Sequence, residues 1–313
     1  MPRYLINRVL SLIISLIFSS MIIFILIEGV PGDPASFMLG INASDETVAA
    51  LRTELGLESN LLKRYFEWTT GMISGNFGIS YTYRVPVQDL IIERINVSLP
   101  LAIYSLSLSI IIAFPAGMLA AQFQGKKIDY LIMTVSQIGI AIPNFWFAMI
   151  LVFIFSINLR WVSAGGFPGW ELGLLLGLKS LTLPAISLAL PQASILSRVV
   201  RSSLLDTMKE DYIRTARAKG LSRGQSIRNH ALRNSLIPIL TILGLQFSFL
   251  LAGAIIIENV FFLPGLGRLV FQGITQRDLI VVESVVMLLV FSVILVNFII
   301  DVSYAIVDPR LRQ

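Results

Sequence analysis

The sequence predicts an all-α, polytopic membrane protein that forms six transmembrane helices with both termini on the cytoplasmic side. Three observations predict this fold. Apolar residues make up 55% of the 313 residues and charged residues only 14%, whereas about a quarter of the residues in a soluble domain are charged. Six long stretches lack charged residues altogether, and the basic residues gather in segments on one side of them.

Each uncharged stretch approaches or exceeds the roughly 20 apolar residues that an α-helix needs to cross a bilayer core. The stretches run from Val9 to Ile27, Ile95 to Gly125, Tyr130 to Leu159, Ser180 to Ser197, Asn234 to Ile257 and Ser284 to Ile300. The last is short, and its helix is expected to continue to about Ile306. The first is longer than the 7–15 apolar residues that are usual in a signal peptide, so we expect it to be a retained helix.

The basic residues predict the orientation, because cytoplasmic segments of membrane proteins are enriched in Lys and Arg. With the N-terminus inside, the inner segments are 1–8, about 123–130, 198–234 and 307–313. They carry 15 basic residues and six acidic ones, counting Asp301, whereas the outer segments carry nine basic and 13 acidic residues. The same sorting explains the net charge of +5 without nucleic acid as a partner.

This topology divides the chain into three segments. Residues 1–30 form an N-terminal transmembrane helix, and 31–94 form an extracytoplasmic segment with short helices. Residues 95–313 form a five-helix transmembrane domain with a cytoplasmic loop at about 198–234. That loop holds nine of the 24 Lys and Arg residues of the chain.

The outer segment contains several turn and helix signals. Pro31-Gly-Asp-Pro34 predicts a turn. Residues 44–55 predict a short amphipathic helix that begins at a Ser N-cap and ends before Gly56. A second helix, from Asn60 to about Met72, carries three aromatic residues, which favour a membrane interface. The segment either packs as a lid on the outer face or docks an external partner, and the residues leave both interpretations open.

Proline positions predict irregular helices. Pro115 and Pro143 lie inside the second and third spans, where a kink is tolerated if neighbours satisfy the freed carbonyl. Pro184 and Pro191 are expected to flank the fourth span.

Isolated polar residues give weaker signals. Glu258, near the outer end of the fifth span, is interpreted either as an anchor for the following Pro264-Gly-Leu-Gly267 loop or as a contact in a pathway. Asp301 lies near the inner boundary, where it can pair with Lys or Arg. His230 is the only histidine, and no second ligand stands at metal-binding spacing. No paired carboxylates or nucleophile–base arrangement predicts catalysis, and no metal or cofactor site is predicted.

The cytoplasmic loop reads as two short capped helices. Thr207-Met-Lys-Glu210 and Ser222-Arg-Gly-Gln225 both match the capping-box pattern. Between them, Gly220 is placed to end the first helix in a left-handed conformation. The second helix is expected to run to about Asn234.

The first of these helices has one apolar stripe, which is formed by Leu205, Met208, Tyr212 and Ala216. Two capped helices joined at a tight turn favour a rigid knob that inserts into a groove of a partner. A solvated loop, or a basic patch that lies on anionic lipid head groups, is the alternative.

The stretch Glu210-Asp-Tyr-Ile-Arg-Thr-Ala-Arg-Ala-Lys-Gly220 resembles the coupling motif of the permease subunits of bacterial peptide-type ABC importers. The resemblance covers nearly the whole chain, and it is closest to the first permease of the pair. Further landmarks of that family are Pro31-Gly-Asp-Pro34, Gly75-Asn-Phe-Gly-Ile-Ser80, Ile142-Pro-Asn-Phe-Trp146, Glu258-Asn-Val-Phe-Phe-Leu-Pro-Gly-Leu-Gly267 and Asp308-Pro-Arg310.

The resemblance implies a subunit that forms a translocation pathway and couples it to ATPase subunits through residues 205–220. The coupling residues it implies are Glu210, Tyr212, Arg214, Thr215, Ala216, Arg217, Ala218, Lys219 and Gly220. The sequence contains no Gly-x-x-x-x-Gly-Lys-[Ser/Thr] phosphate loop, so ATP and Mg²⁺ are expected to be used by partner subunits.

The implied partners are a homologous permease, two ABC ATPase subunits and an extracytoplasmic solute-binding protein in the bacterial inner membrane, with lipid around the helices. Short peptides are the expected solute, while nickel chelates, glutathione and opine-like or sugar conjugates stay open. A self-sufficient channel or ion-coupled carrier, with a lipid-binding basic loop, is the alternative function. Paired inverted repeats would favour that carrier, and the sequence shows no convincing repeat.

Overall fold

The structure is a computed structural model that describes residues 2–29, 32–40 and 43–307. The described residues are almost entirely helical, with one isolated β-bridge between Ile79 and Pro86. The helices are α1 (Pro2–Glu28), α2 (Pro34–Leu39), α3 (Asp45–Glu54), α4 (Leu61–Ser74), α5 (Val87–Gln122), α6 (Lys127–Ala141), α7 (Asn144–Leu151), α8 (Leu174–Thr207), α9 (Asp211–Ala218), α10 (Arg223–Ser226), α11 (Leu232–Asn234), α12 (Leu236–Val260), α13 (Leu266–Thr275) and α14 (Leu279–Val307). Two π-helical stretches follow α7 (Val152–Asn158) and α10 (Ile227–Ala231).

Five of the described helices, α1, α5, α8, α12 and α14, are long and apolar enough to cross a membrane. A sixth candidate is the bent pair formed by α6 and the helix Asn144–Asn158, whose axes meet at 98°. Pro143 lies in the break with extended backbone. The expected kink inside the third span is therefore a full break of the helix, and the pair is either a broken span or a re-entrant loop.

The chain divides into two compact units. The first comprises Leu99–Leu263 together with the described parts of Met1–Arg8 and Val296–Gln313. In this unit α8 packs against α6, α7 and α12. Its buried core contains Ala113, Ala121, Ala193, Leu196, Val200, Leu204, Ile213, Ile227, Ala231 and Ile239.

α8 differs from its expected form. Pro184 and Pro191 do not flank this helix but lie inside it, because α8 begins at Leu174. Both prolines are buried, and a long helix tolerates them where neighbours compensate for the lost hydrogen bond. In the same unit, Arg8 lies 3.1 Å from Asp301, the pairing expected near the inner boundary.

The second unit comprises Val9–Ser98 and Pro264–Leu295. The Ser44 hydroxyl accepts from the Thr47 N–H at the start of α3, which is the predicted N-cap. The second helix begins at Asn60 as expected, where the Asn60 side chain accepts from the Leu62 N–H at the start of α4. The expected turn at 31–34 is described only from Gly32 onward, where Asp33 caps α2. The core of this unit contains Val87, Ile91, Leu266, Leu269, Val270, Val281 and Val285.

Candidate functional site

The basic loop between α8 and α12 starts later than the sequence indicated. α8 continues through Arg198 and ends at Thr207, so the residues 198–207 belong to a helix and not to a loop. Nothing in this stretch breaks a helix, since it contains no Gly or Pro. The irregular connection is confined to Met208, Lys209 and Glu210.

The first predicted capping box is wrong. Thr207 belongs to the last turn of α8, where its hydroxyl donates to the carbonyl of Ser203 at 2.9 Å. The N-cap of α9 is instead Glu210, with extended backbone (φ −64°, ψ 146°) and no side-chain cap. The backbone alone makes the turn, because the Glu210 N–H donates to the Thr207 carbonyl.

α9 presents most of its surface to the outside of the chain. Ile213 and Ala216 are buried and lie one turn apart on one face, and Ile213 belongs to the same core cluster as Leu204 and Val200. The other eight residues proposed for coupling are exposed: Glu210, Tyr212, Arg214, Thr215, Arg217, Ala218, Lys219 and Gly220. The helix is thus seated by two side chains and offers the rest to a partner.

The predicted apolar stripe is correct at both ends and wrong at Tyr212. Leu205 and Met208 pack against the core cluster, and Ala216 is buried. Tyr212, however, is 41% exposed, and Ile213 occupies the buried position in its place. The turn at Met208–Glu210 changes the helical phase, so a single periodicity cannot run across it.

Tyr212 is instead held by a hydrogen bond. Its hydroxyl accepts from Asn234 Nδ2 at 2.7 Å, which joins α9 to α11 across 22 residues of sequence. A half-exposed aromatic ring with an anchored hydroxyl has a fixed direction, which suits a contact residue in a partner groove.

The two ends of the α9–α10 turn agree with the sequence. Gly220 has φ +97°, the conformation for which glycine was predicted, and no atom lies within 4 Å of the position that a Cβ would take. Ser222 and Gln225 form both hydrogen bonds of the second capping box. The helical stretch that follows reaches Asn234 through α10, the π turn and α11, as predicted.

α10 is fixed to the connection between α5 and α6. Arg223 donates to Gln124 at 2.7 Å, and a Cβ at Gly224 would stand 3.1 Å from the amide of Gln122. α9 and α10 therefore rest on a base formed by α5, α6 and α8.

The base itself is held together by Asp129 at the start of α6. Its carboxylate accepts two hydrogen bonds from Arg201 of α8 and one from the Gly125 N–H. Asp129, Arg201 and Ile213 had not been singled out from the sequence. The spacing of Ile213 and Ala216, three apart, carried a signal for the buried face; nothing in the sequence pairs Asp129 with a residue 72 positions away.

The charges of this surface indicate binding to a partner. The described residues contain no group of three or more His, Cys, Asp or Glu side chains that could hold a metal ion. The exposed face of α9 carries Arg214, Arg217 and Lys219. Of these three residues, Arg214 forms an ion pair, with Asp211 at 3.3 Å, and this exposed pair adds little stability. The surface is suited to charge-assisted contacts with an acidic or polar groove.

Glu258 is fully buried at the end of α12. Its carbonyl accepts from the Leu263 N–H at 2.8 Å, which closes the turn that follows the helix. Because this bond involves the backbone, both interpretations of the Glu258 side chain stay predictions.

Both parts of the chain match known families. Residues 113–313 match the family described as "Binding-protein-dependent transport system inner membrane component". Residues 1–102 match its companion, the N-terminal membrane component of binding-protein-dependent transport systems.

Curated relatives cover the full length. The chain is 36% identical over 312 residues to the "Glutathione transport system permease protein GsiC" of Escherichia coli (strain K12), covering 100% of the chain and 99% of that protein. It is 35% identical over 312 residues to a probable peptide ABC transporter permease protein of Sinorhizobium fredii (strain NBRC 101917 / NGR234), with 100% of both covered.

Among solved structures, the chain resembles the inward-facing MetNI methionine ABC transporter with a TM-score of 0.57 and 19% identity, over 70% of this chain and 96% of that one. This likeness concerns the fold. Together with the two family matches and the full-length relatives, the all-α membrane fold and its exposed loop identify the chain as a member of the binding-protein-dependent transport system inner membrane component family: a peptide-type ABC importer permease subunit, with ATPase activity provided by separate subunits.

Proposed function

We propose that this permease subunit passes short peptides, or a small solute of related chemistry, across the bacterial cytoplasmic membrane. The relatives that span the full chain carry this proposal, since one is named for glutathione, a tripeptide, and another for peptides. The external binding protein is expected to select the solute.

The proposed topology has six spans, with both termini and the loop at about 198–234 in the cytoplasm. The bent pair α6–α7 would count as the third span. The segment 1–30 would then form the first span, 31–94 the extracytoplasmic part, and 95–313 the remaining transmembrane domain. The concentration of basic residues in the loop supports this orientation.

Residues 205–220 form the proposed coupling surface, with Glu210, Tyr212, Arg214, Thr215, Arg217, Ala218, Lys219 and Gly220 facing an ATPase subunit and Ala216 seating the helix. Support comes from the exposure of these eight residues and from the burial of Ile213 and Ala216 beneath them. A helix held on a packed base transmits a displacement, whereas a loosely attached loop would absorb it.

The proposed assembly contains a homologous permease, two ABC ATPase subunits that use ATP and Mg²⁺, and an extracytoplasmic binding protein. Closure of the ATPases would move both coupling helices, and the pathway would open outward to receive the solute. The chain itself would bind no nucleotide and no nucleic acid.

Transport by the complete complex tests the proposal. The complex is reconstituted in liposomes with its binding protein, and ATP-dependent uptake of labelled dipeptide, tripeptide and glutathione is compared with that of a nickel chelate. We expect peptide uptake that stops without ATP or without the binding protein. Uptake of the chelate alone would overturn the peptide assignment, and uptake without ATPase subunits would favour the alternative of a channel or carrier.

A further inference from the structure

The second unit contains a polar cavity of about 250 Å³ between α1, α4 and the start of α14. Its wall includes three carboxylates, Glu28, Glu67 and Glu283, and one guanidinium, Arg64. Arg64 is engaged in a two-fold hydrogen-bonded ion pair with Glu28. The charge of Glu28 is therefore balanced within the cavity wall.

Glu67 forms an exposed ion pair with Lys63 at 3.7 Å, so Glu283 is the carboxylate of this wall that has no ion-pair partner among the described residues. Only 5% of the residue is exposed, yet it forms no hydrogen bond or ion pair with any other residue in the part of the chain that the structure describes. A buried carboxylate is costly unless a cation or hydrogen-bond donors accompany it. Glu283 is thus placed to receive a positively charged group that enters the cavity.

A hydrogen-bond donor also lacks a partner at this cavity. The indole Nε1–H of Trp68 is buried, and no acceptor for it exists among the described residues. The ring itself is fixed between Phe24 and Tyr65, with ring centroids 5.9 and 6.3 Å away. The Trp68 N–H and the Glu283 carboxylate line the same cavity. A ligand with one anionic and one cationic group could bind to both.

An apolar groove of about 1220 Å³ adjoins the cavity. The two share Phe24, Glu28, Trp68 and Phe77 as lining residues, and the groove continues along α1 to Ile13. Pockets for drug-sized molecules measure roughly 300–1,000 Å³, so the groove has room for a long hydrocarbon chain.

The cavity and the groove lie in the order that a membrane lipid requires. Glu28 is the last residue of the candidate span of α1, and Glu283 lies near the start of that of α14. The polar cavity is therefore at the level where these spans leave the hydrocarbon, and the apolar groove follows α1 into it.

We propose that this cavity and groove bind one phospholipid with an ethanolamine head group. Its ammonium group would donate hydrogen bonds to Glu283, its phosphate would accept from the Trp68 N–H, and an acyl chain would occupy the groove. A glycerol head group has no ammonium group to place against Glu283. Choline carries the same charge as ethanolamine but has no N–H to donate to a carboxylate. The site does not depend on which solute is transported.

Native mass spectrometry of the complete complex tests the site. The complex is delipidated in detergent and exposed to phosphatidylethanolamine, phosphatidylcholine and phosphatidylglycerol with identical acyl chains. We expect one tightly retained phosphatidylethanolamine, at least about fivefold preferred over each of the others. Equal retention of the three lipids, or of the ethanolamine and choline lipids, would overturn the assignment.

Variants test which residues of the cavity give the preference for phosphatidylethanolamine. Glu283→Gln keeps the side-chain shape and should abolish the preference for ethanolamine over glycerol, whereas Glu46→Gln, at an exposed carboxylate of α3, should leave it unchanged. Trp68→Phe should weaken retention of all three phospholipids alike and gives a second reading if Glu283→Gln does not assemble. A preference for ethanolamine that persists in Glu283→Gln, or retention in Trp68→Phe equal to that of the unaltered protein, contradicts the site.

A photo-crosslinking residue at Ile17, which lines the groove, identifies the occupant directly. Crosslinks to lipid are expected. Crosslinks only to the partner permease would mean that protein covers the groove, and the lipid proposal would be wrong.

Discussion

The guanidinium of Arg201 donates two hydrogen bonds to Asp129, from Nε at 2.6 Å and from Nη2 at 2.7 Å. Asp129 is only 4% exposed at its side chain and Arg201 26%. The pair fixes the start of α6 to the last turns of α8, and α9, the proposed coupling helix, packs on those turns through Ile213. Its loss should therefore affect both stability and coupling.

Asp129→Asn tests this relationship. The Asn side chain has one acceptor oxygen and no negative charge, so it cannot replace both hydrogen bonds from the guanidinium. We therefore expect stability to fall by roughly 1–3 kcal/mol. Binding-protein-stimulated ATP hydrolysis should fall with it, because the base under α9 loosens. Both are measured on the purified complex, by thermal unfolding and by phosphate release.

Gln137→Ala is the matched control for this variant. Gln137 accepts a hydrogen bond from Arg198 and so joins the same two helices, but at an exposed position. Gln137→Ala should lower the free energy of unfolding by no more than about 0.5 kcal/mol, as is usual for surface substitutions. Equal effects of the two variants would show that the buried pair has no special part.

Reversal of charge at Arg214 and Arg217 tests the coupling surface. Both residues are exposed on α9, and the pair of Arg214 with Asp211 contributes little, so Arg214→Glu with Arg217→Glu should leave the fold intact. The ATPase subunits should copurify poorly, and ligand-stimulated hydrolysis should disappear.

The control variant carries Lys126→Glu and Lys127→Glu. These lysines are also exposed and lie at the start of α6, Lys126 as its N-cap and Lys127 as its first residue, so the charge change is the same. Normal coupling in the α9 variant, or equal loss in the control, would contradict a specific role for α9.

Substitution of Gly220 separates backbone conformation from packing. Nothing lies within 4 Å of a Cβ built there, while φ is +97°. The cost of Gly220→Ala is therefore conformational and about 1–2 kcal/mol. Asn tolerates positive φ better than other residues, so ATPase coupling should decline in the order Gly, Asn, Ala, Val.

Gly56→Ala controls for the substitution itself. Gly56 also has positive φ (+68°) and open space around it, but it follows α3 in the other unit. It should lower stability by a similar amount without changing the coupling. An order that follows side-chain volume alone would indicate a steric contact with the ATPase instead.

Local signals in the sequence predicted much of this site. Gly220, the Ser222–Gln225 capping box and the Ser44 cap of α3 all depend on residues within a few positions of each other, so their spacing in the sequence predicts them. Each run without charged residues also lies within one stretch of sequence, so these runs predicted the long apolar helices.

The predictions that were wrong or incomplete concern residues whose structure depends on partners distant in the sequence. Thr207 matched a capping pattern, but packing extended α8 through it and left its hydroxyl to Ser203. Tyr212 is a large apolar ring, yet Asn234 fixes it at the surface. The break at Pro143 could be anticipated as a kink, whereas its 98° angle depends on how α6 and α7 pack on α8.

The proposed orientation is tested with single cysteines, since the chain contains none of its own. Ser59→Cys and Asn229→Cys should react with a membrane-impermeant maleimide from opposite sides, Ser59→Cys from outside. Asn229 is exposed and preferable to Ser222, which caps α10. Labelling of both from one side would rule out the six-span topology.

The last prediction concerns Asp278, which fastens the outer segment to the start of α14. This fully buried carboxylate accepts from the Ser80 hydroxyl and from the backbone N–H groups of Tyr81 and Thr82. In Asp278→Asn the amide has one acceptor oxygen in place of two, so a buried donor loses its partner at a cost of roughly 1–3 kcal/mol.

Limited proteolysis with trypsin measures how often the turn at residues 80–84 opens, because Arg84 is exposed within it. Cleavage by trypsin follows the population of the open loop, so it should accelerate at least about fivefold after Arg84 in Asp278→Asn. Asp89→Asn, at an exposed carboxylate in the first turn of α5, should cleave at the normal rate. If both variants resist trypsin as the unaltered protein does, Ser80, Tyr81 and Thr82 are held by other contacts, and Asp278 does not fasten the outer segment.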